Sequence, residues 1–280
     1  MARPTWFVGL LKTIYPALFG LAKLTRVPLL REVINRLFFE GDRVIYLPKD
    51  RVIAVGEAVD TPTSTVLPSQ VAEYFVERAA YHWIMDFCIC RVSNQCKDYP
   101  RELGCLFLGE AVLEINPKIG RRVSKEEALE HLRRCREAGL VHMVGRIKMD
   151  SLWLGAGPPG RLFTICNCCP CCCLLRMIPQ LDPMISAKLT RMPGVQVRVT
   201  DACVGCGLCA QDVCFVGAIH MEGQVATITD ICRGCGRCVE VCPVQAIELS
   251  FPAEVALSET IAQLAMAVDV GGDGRPAKMA

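Results

Sequence analysis

The sequence predicts an α+β protein: a small repeated unit at residues 195–250 behind a larger, mixed α/β, cysteine-rich part at residues 41–194. Three observations predict it. Apolar residues fill 52% of the 280 positions and charged residues 21%, enough for a substantial packed core. Runs of period 2 alternate with runs of helical period along the chain. The nineteen cysteines are bunched at metal-ligand spacing rather than scattered.

The elements follow in order. Residues 1–40 are apolar and basic: Trp6, Phe7, Leu10, Leu11, Ile14, Leu18 and Leu21 recur at helical spacing. Over residues 1–39, Arg3, Lys12, Lys23, Arg26, Arg31 and Arg36 stand against Glu32 alone. Lys12 and Pro16 interrupt the stretch, which is short for a spanning helix. It reads as an amphipathic helix packed on the protein's own core, with peripheral membrane contact as the alternative. No cleavable signal peptide is recognised, and metal-type cysteine spacing argues against disulfides, so the expected compartment is the reducing cytoplasm, at a membrane or free of it. Residues 43–67, including Arg43–Tyr46 and Arg51–Val55, read as short strands and turns. Ser69 is expected to cap a helix over 70–86 that leads straight to Cys88. Ser124 and Glu127 form a capping box for a helix ending at Gly139, with Leu129, Leu132 and Cys135 towards its inner face. Residues 251–280 are expected to be a helix from Pro252 to Val268 and a disordered, glycine-rich tail.

The 195–250 unit repeats itself. Cys203-Val204-Gly205-Cys206-Gly207-Leu208-Cys209 matches Cys232-Arg233-Gly234-Cys235-Gly236-Arg237-Cys238. The second run closes with Cys242-Pro243, giving C-x2-C-x2-C-x3-C-P, and the first closes with Cys214. In such runs the first three thiolates hold one iron–sulfur cluster and the fourth binds the other. The expected sets are therefore Cys203, Cys206, Cys209 and Cys242, and Cys232, Cys235, Cys238 and Cys214. Gly205, Gly207, Gly234 and Gly236 would let the backbone curl and aim amides at sulfur. Zinc is the competing ligand for isolated C-x2-C pairs.

These residues resemble the bacterial dicluster ferredoxins over about residues 195–250. The resemblance implies a ferredoxin-like β-α-β-β-α-β unit, with strands at 195–199, 218–221, 226–229 and 246–249, and two [4Fe-4S] clusters near enough to exchange electrons. The chain departs from that pattern where four residues separate Cys209 from Cys214 and Phe215 replaces proline. This puts the role of Cys214 in question unless the loop absorbs the extra residue.

Ten more cysteines remain: Cys88, Cys90, Cys96 and Cys105 in C-x-C-x5-C-x8-C, then Cys166, Cys168, Cys169, Cys171, Cys172 and Cys173, with Cys135 apart as a buried structural thiol. Packing needs no such density, and exposed thiols are a liability. One or more additional Fe–S clusters are expected, with neighbouring cysteines facing different ways. Phe87–Arg91, Gly104–Leu106, Ala138–His142 and the Cys166–Cys173 stretch are similar to larger ferredoxin-domain proteins of anaerobes, which implies an anaerobic, low-potential role. The consecutive cysteines also resemble heterodisulfide-reductase-type catalytic subunits, although that family's flanking pattern is missing.

Several signals are set aside. Gly155–Gly160 matches G-x-G-x-x-G, but Pro158 and Pro159 remove amides a dinucleotide would need. His82, His131, His142 and His220 read as structural, and Arg233 and Arg237 as a solvated face or an acidic-partner dock. A net charge of +2 without a basic–aromatic stripe excludes nucleic acid as a partner. The expected function is low-potential single-electron transfer between redox partner proteins, as a carrier or a subunit. The alternative is an enzyme reducing a disulfide or other small substrate at Cys166–Cys173.

Overall fold

The computed structural model describes residues 2–52 and 67–271. Its strands are β1 Arg43–Tyr46, β2 His82–Met85, β3 Leu106–Leu108, β4 Gly120–Val123, β5 Val141–Arg146, β6 Phe163–Cys168, β7 Leu189–Arg191, β8 Gln196–Val199, β9 Ile219–Glu222, β10 Val225–Ile228 and β11 Ile247–Ser250. Its α-helices are α1 Thr5–Ile14, α2 Leu18–Leu21, α3 Pro28–Ile34, α4 Ser69–Arg78, α5 Ile89–Ser93, α6 Lys125–Glu137, α7 Lys148–Leu154, α8 Pro183–Ser186, α9 Arg237–Glu240 and α10 Ala253–Ala265. The protein is mixed α/β.

The first seven strands form one sheet in the order β4-β2-β3-β6-β5-β1-β7, antiparallel except for the parallel β1–β7 edge. Alternation along the strands builds two cores. Ile45, Ile84, Leu106, Leu108, Val144, Phe163 and Ile165 pack with α4, α6 and α10 on one face. Trp83, Met85 and Phe107 pack with α1, α5 and α7 on the other, where Val44, Tyr46 and Met143 extend the apolar layer towards Phe215 and Val216.

Local chemistry sets the helix ends. The Ser124 hydroxyl accepts from the Glu127 amide at 3.2 Å, and Glu127 accepts from the Ser124 amide at 3.0 Å. After the last turn, Gly139 takes φ +75°, the left-handed conformation that closes a helix. Ala128, His131, Leu132 and Cys135 form the buried face of α6, with Leu129 at its edge.

Three sequence expectations change. The helix expected over 70–86 stops at Arg78, and His82–Met85 is a central strand. All four strand residues are buried because both sheet faces are covered, so no alternation betrayed them. Ser69 lies inside the helix rather than capping it, and its amide donates to Asp50 at 3.1 Å. Asp50–Val52 forms a helical turn where a second strand was expected to begin, and Ile53–Val55 lies outside the described residues. The C-terminal helix α10 falls within the expected 252–268, while most of the expected tail lies outside the described residues.

Residues 196–250 run strand, 3-10 turn (Leu208–Ala210), two strands, helix, strand. The pairings β8–β11 and β9–β10 are antiparallel, and the strands begin and end within one residue of the expected positions. This unit sits against the large sheet. The Lys49 amide donates to the Cys235 carbonyl at 3.2 Å, Lys49 pairs with Glu240, and the rings of Tyr46 and Phe215 lie 5.0 Å apart.

Candidate metal centres

The two repeats of the small unit build matching cradles. Gly207 and Gly236 precede their short helices at φ +74° and +81°. The Ala218 amide donates to Cys214 Sγ and the Ala246 amide to Cys242 Sγ, each at 3.2 Å, at equivalent places in the repeat. The Gly234 amide donates to Cys232 Sγ at 3.3 Å. Amide donors of this kind stabilise thiolate over thiol.

Cys203, Cys206, Cys209 and Cys242 line one cavity, and Cys214, Cys232, Cys235 and Cys238 line another. The fourth cysteine of each run thus faces the first three of the other. Electrostatics groups them the same way: Cys209 responds to Cys242, Cys203 and Cys206, and Cys238 to Cys235, Cys232 and Cys214. The extra residue between Cys209 and Cys214 is absorbed at Asp212, which turns at φ +56°. Burial pushes the Cys235 thiol up to about 11, so a metal arriving there must displace a proton. Eight thiols in two quartets with amide donors fit two cubane clusters by donor type and number.

The remaining ten cysteines divide by strand geometry. In β6, Thr164, Cys166 and Cys168 share one face and Asn167 points to the other. Cys166 and Cys168 therefore look into a cavity of about 110 Å³ that is also lined by Cys88, Cys90, Cys105 and Cys173, with Cys169 reaching its wall. Cys105 Sγ lies 3.4 Å from Cys166 Sγ, and Cys173 Sγ 3.4 Å from Cys168 Sγ. Cys90 is in hydrogen-bond contact with both Cys88 and Cys173, and Cys166 with Cys168, so six sulfurs form a continuous string. These neighbours hold the Cys168 thiol down at about 7. The Tyr15 hydroxyl meets Cys90 Sγ at 2.7 Å, bringing the N-terminal segment onto the same string.

The other four, Cys96, Cys169, Cys171 and Cys172, form a separate knot whose sulfurs all lie within 4.8 Å of one another. Cys135 belongs to neither ligand set but packs in the same buried cluster as Cys96, Cys169 and Cys172. It is buried in α6, 3.7 Å from His131 Nε2, and burial pushes it up to about 12.

Between these sets lies Arg91, with 0% exposure. Its Nε donates to the Pro100 carbonyl and its Nη1 to the Asn167 carbonyl, both at 2.7 Å, and its Nη2 donates to the Leu103 carbonyl. Among the described residues no carboxylate pairs with it, and the groups acting on its charge are the thiols of Cys88, Cys169, Cys105 and Cys168. A buried guanidinium needs a counter-charge, and metal-bound thiolates would supply it. Behind Arg91, Asn167 bridges to His142 Nδ1 at 2.8 Å and to the Gly104 carbonyl at 2.8 Å. His142 and His131 are thus bonded within the scaffold, His82 Nε2 likewise meets the Val76 carbonyl at 2.7 Å, and His220 instead meets Glu222 at the surface.

Arg233 and Arg237, read from sequence as solvated, are buried. Arg233 binds the Ser186 hydroxyl at 3.0 Å, and Arg237 donates to the Cys168 carbonyl at 2.6 Å and to the Tyr99 hydroxyl at 3.4 Å. They face inward because the small unit docks on the sheet through this side. Sequence reasoning also missed Arg91 and Tyr15. The signal for Arg91 was a cation placed directly after Cys-Ile-Cys in an otherwise apolar context. Gly155–Gly160 follows α7 and leads to β6 through a helical turn, the wrong order for a strand–loop–helix nucleotide site.

Among curated proteins and among solved structures, nothing matches the chain. A family model described as a 4Fe-4S binding domain matches residues 225–248, the segment that holds Cys232, Cys235, Cys238 and Cys242. The chain therefore carries a 4Fe-4S binding domain within a cysteine-rich, mixed α/β protein.

Proposed function

We propose that this protein relays single electrons at low potential through two [4Fe-4S] clusters and at least one further iron–sulfur centre, as a carrier or subunit of an anaerobic redox complex. The observation that carries the reading is the crossed grouping of eight cysteines around two cavities. A bound [4Fe-4S] cluster supplies a site that gains or loses one electron. Cys203, Cys206, Cys209 and Cys242 would hold the outer one, and Cys214, Cys232, Cys235 and Cys238 the inner one.

The surroundings give the relay a direction. Cys206 is exposed, and Val204 and Leu208 beside it are 64% and 46% exposed, a surface open to a redox partner protein. The inner quartet faces the large sheet, where Arg237 reaches from beside Cys238 to the backbone of Cys168. The six-thiol cavity lies beyond that contact and would hold the additional centre, with Arg91 offsetting its negative charge.

In anaerobically purified protein, iron should reach about eight per chain from the small unit and about twelve with the further centre. Cys206→Ser and Cys235→Ser should each lower it by about four. Colourless protein holding only zinc would overturn the reading.

A second reading, reduction of a disulfide or other small substrate at the Cys166–Cys173 centre, is favoured by one observation. The cavity offers six thiols, more than one cube needs, and its wall includes Asp42 and Asp150, which burial raises to about 7 and about 6. A spectral change on adding a small disulfide would support it.

We further propose that the protein works in a reducing cytoplasm with residues 2–38 lying on an anionic membrane. Contrary to the sequence expectation that this stretch is short for a spanning helix, Thr5–Arg26 is long and apolar enough to cross a bilayer by length and composition. However, Val8, Tyr15 and Ala22, seven residues apart, are buried along one face of it. This holds the segment flat against the protein, while Trp6, Leu10, Leu21, Leu29 (84% exposed), Val33 and Leu37 point outward. Exposed Lys23, Arg26 and Arg36 complement acidic headgroups. Salt-reversible binding to phosphatidylglycerol-containing vesicles, lost in Leu29→Glu with Val33→Glu, would support this. Binding unchanged in that double variant would refute it.

A further inference from the structure

We propose that Cys96, Cys169, Cys171 and Cys172 bind one zinc(II) ion, a closed structural site separate from every iron–sulfur centre of the chain. The first argument is size. Zinc–sulfur bonds of about 2.3 Å place tetrahedral thiolates about 3.8 Å apart. These four sulfurs lie within 4.8 Å of one another, and Cys96 and Cys171 are 3.6 Å apart. A four-iron cube holds its cysteines at outer corners and must spread them wider.

The chain carries its own ruler for that difference. Among the described residues, this is the one group of three or more metal-binding side chains whose ligand atoms all fit inside 4.8 Å. The two quartets of the small unit, all described, line their cavities without any three of their sulfurs falling inside that span. The same sequence therefore builds two spacings of four cysteines, and the narrow one has single-ion dimensions.

The second argument is local backbone geometry. Cys169 and Cys172 form a C-x2-C turn in which the Cys172 amide donates to Cys169 Sγ at 3.4 Å. Cys96 Sγ accepts from the amides of Asp98 and Tyr99. Each strand of the knot thus presents a sulfur already held by backbone N–H groups, as a thiolate ligand requires. Cys96, Cys169 and Cys172 are buried, and Tyr99, Leu103, Ala138 and Leu140 pack around them. A full set of four thiolates in an apolar shell leaves no open coordination position, the mark of a structural rather than a catalytic zinc. The net negative charge of such a site meets the buried guanidinium of Arg91, on which Cys169 acts directly.

The position gives the ion a task. It ties the loop after α5 to the loop after β6, and both loops also carry cysteines into the six-thiol cavity. Cys168 and Cys173 face the cavity, Cys172 faces the knot, and Cys169 belongs to the knot while its residue also reaches the cavity wall. The ion would fix the spacing of the cavity wall without taking part in electron transfer, since zinc has no accessible second oxidation state.

The test is metal analysis of the full chain, purified without oxygen from medium containing both iron and zinc. About one zinc per chain is expected. Cys96→Ser and Cys172→Ser should each remove it and leave the iron of the small unit in place, while Cys135→Ala retains it. As a measurement that needs no variant, growth on cobalt should give the intense visible absorption of a tetrahedral tetrathiolate cobalt(II) site. Loss of about four irons in Cys172→Ser, one iron in place of zinc, or the four thiols found metal-free or paired as disulfides would each overturn the proposal. Iron in the small unit is read separately through Cys206→Ser, so failure here is distinguishable from failure of the relay.

Discussion

Replacing Arg91 with methionine tests whether the thiol-rich region carries negative charge. The side chain is fully buried and spends its donors on three backbone carbonyls, those of Pro100, Asn167 and Leu103. Hydrogen bonds from a charged donor contribute about 1.5–3 kcal/mol each, yet much of that offsets the cost of burying the guanidinium. What remains depends on the counter-charge. With metal bound, the surrounding sulfurs are thiolates, and removing the cation leaves them uncompensated at a cost of about 3–5 kcal/mol. That corresponds to a fall in Tm of roughly 10 °C. Without metal, at a pH low enough to protonate Cys168 as well, the thiols are neutral and the guanidinium itself is the uncompensated charge. Methionine should then cost clearly less than in the loaded form, only what the three carbonyls lose with their donor. The assay is anaerobic denaturation of wild type and Arg91→Met, each metal-loaded and after chelation. Equal destabilisation in both forms would refute the argument and leave Arg91 as a packing residue.

Three further outcomes follow from single contacts. Gly205→Ala should lose about four irons per chain by metal analysis, because Gly205 sits at φ +71° and an added Cβ would lie 2.5 Å from the Gln224 carbonyl oxygen. Leu132→Ala, on the buried face of α6, should destabilise by about 2–5 kcal/mol in urea titrations. Asp42 titrates at about 7 in the folded chain against about 3.9 unfolded, so the folded state holds its proton longer and stability contributed by this group falls as pH rises from 4 to 7. Asp42→Asn should therefore gain on wild type across that window by up to about 4 kcal/mol and run parallel to it above pH 7. His142, held at about 3 by burial, slopes the opposite way below pH 6.5 in both proteins and cancels from the difference.

Local signals in the sequence were readable where one short stretch carries the whole instruction. Ser124, Glu127 and Gly139 define α6 within sixteen residues, and the repeated Cys-x-x-Cys runs define the small unit's cradles. Signals spread across the sheet were not. Cys96 meets Cys171 across 75 positions because α5 and β3 lie beside β6, and no spacing rule in one dimension contains that register. His82–Met85 was hidden by being buried on both sides, which erases the alternation that marks a strand. Arg233 and Arg237 misled because arginine beside glycine normally means solvent, and only the docking of the small unit turns them inward.

The apolar layer shared by Tyr46, Met143, Phe215 and Val216 bears on how separable the electron-carrying segment is. A fragment cut at residue 194 would bare that layer together with two guanidinium groups adapted to the interior. Such an excised piece would be expected to self-associate, and its redox behaviour would describe a solvated cluster rather than the sheltered one of the intact chain. The boundary visible in the cysteine repeats is therefore one of ligand sets, while the cooperative folding unit extends across it.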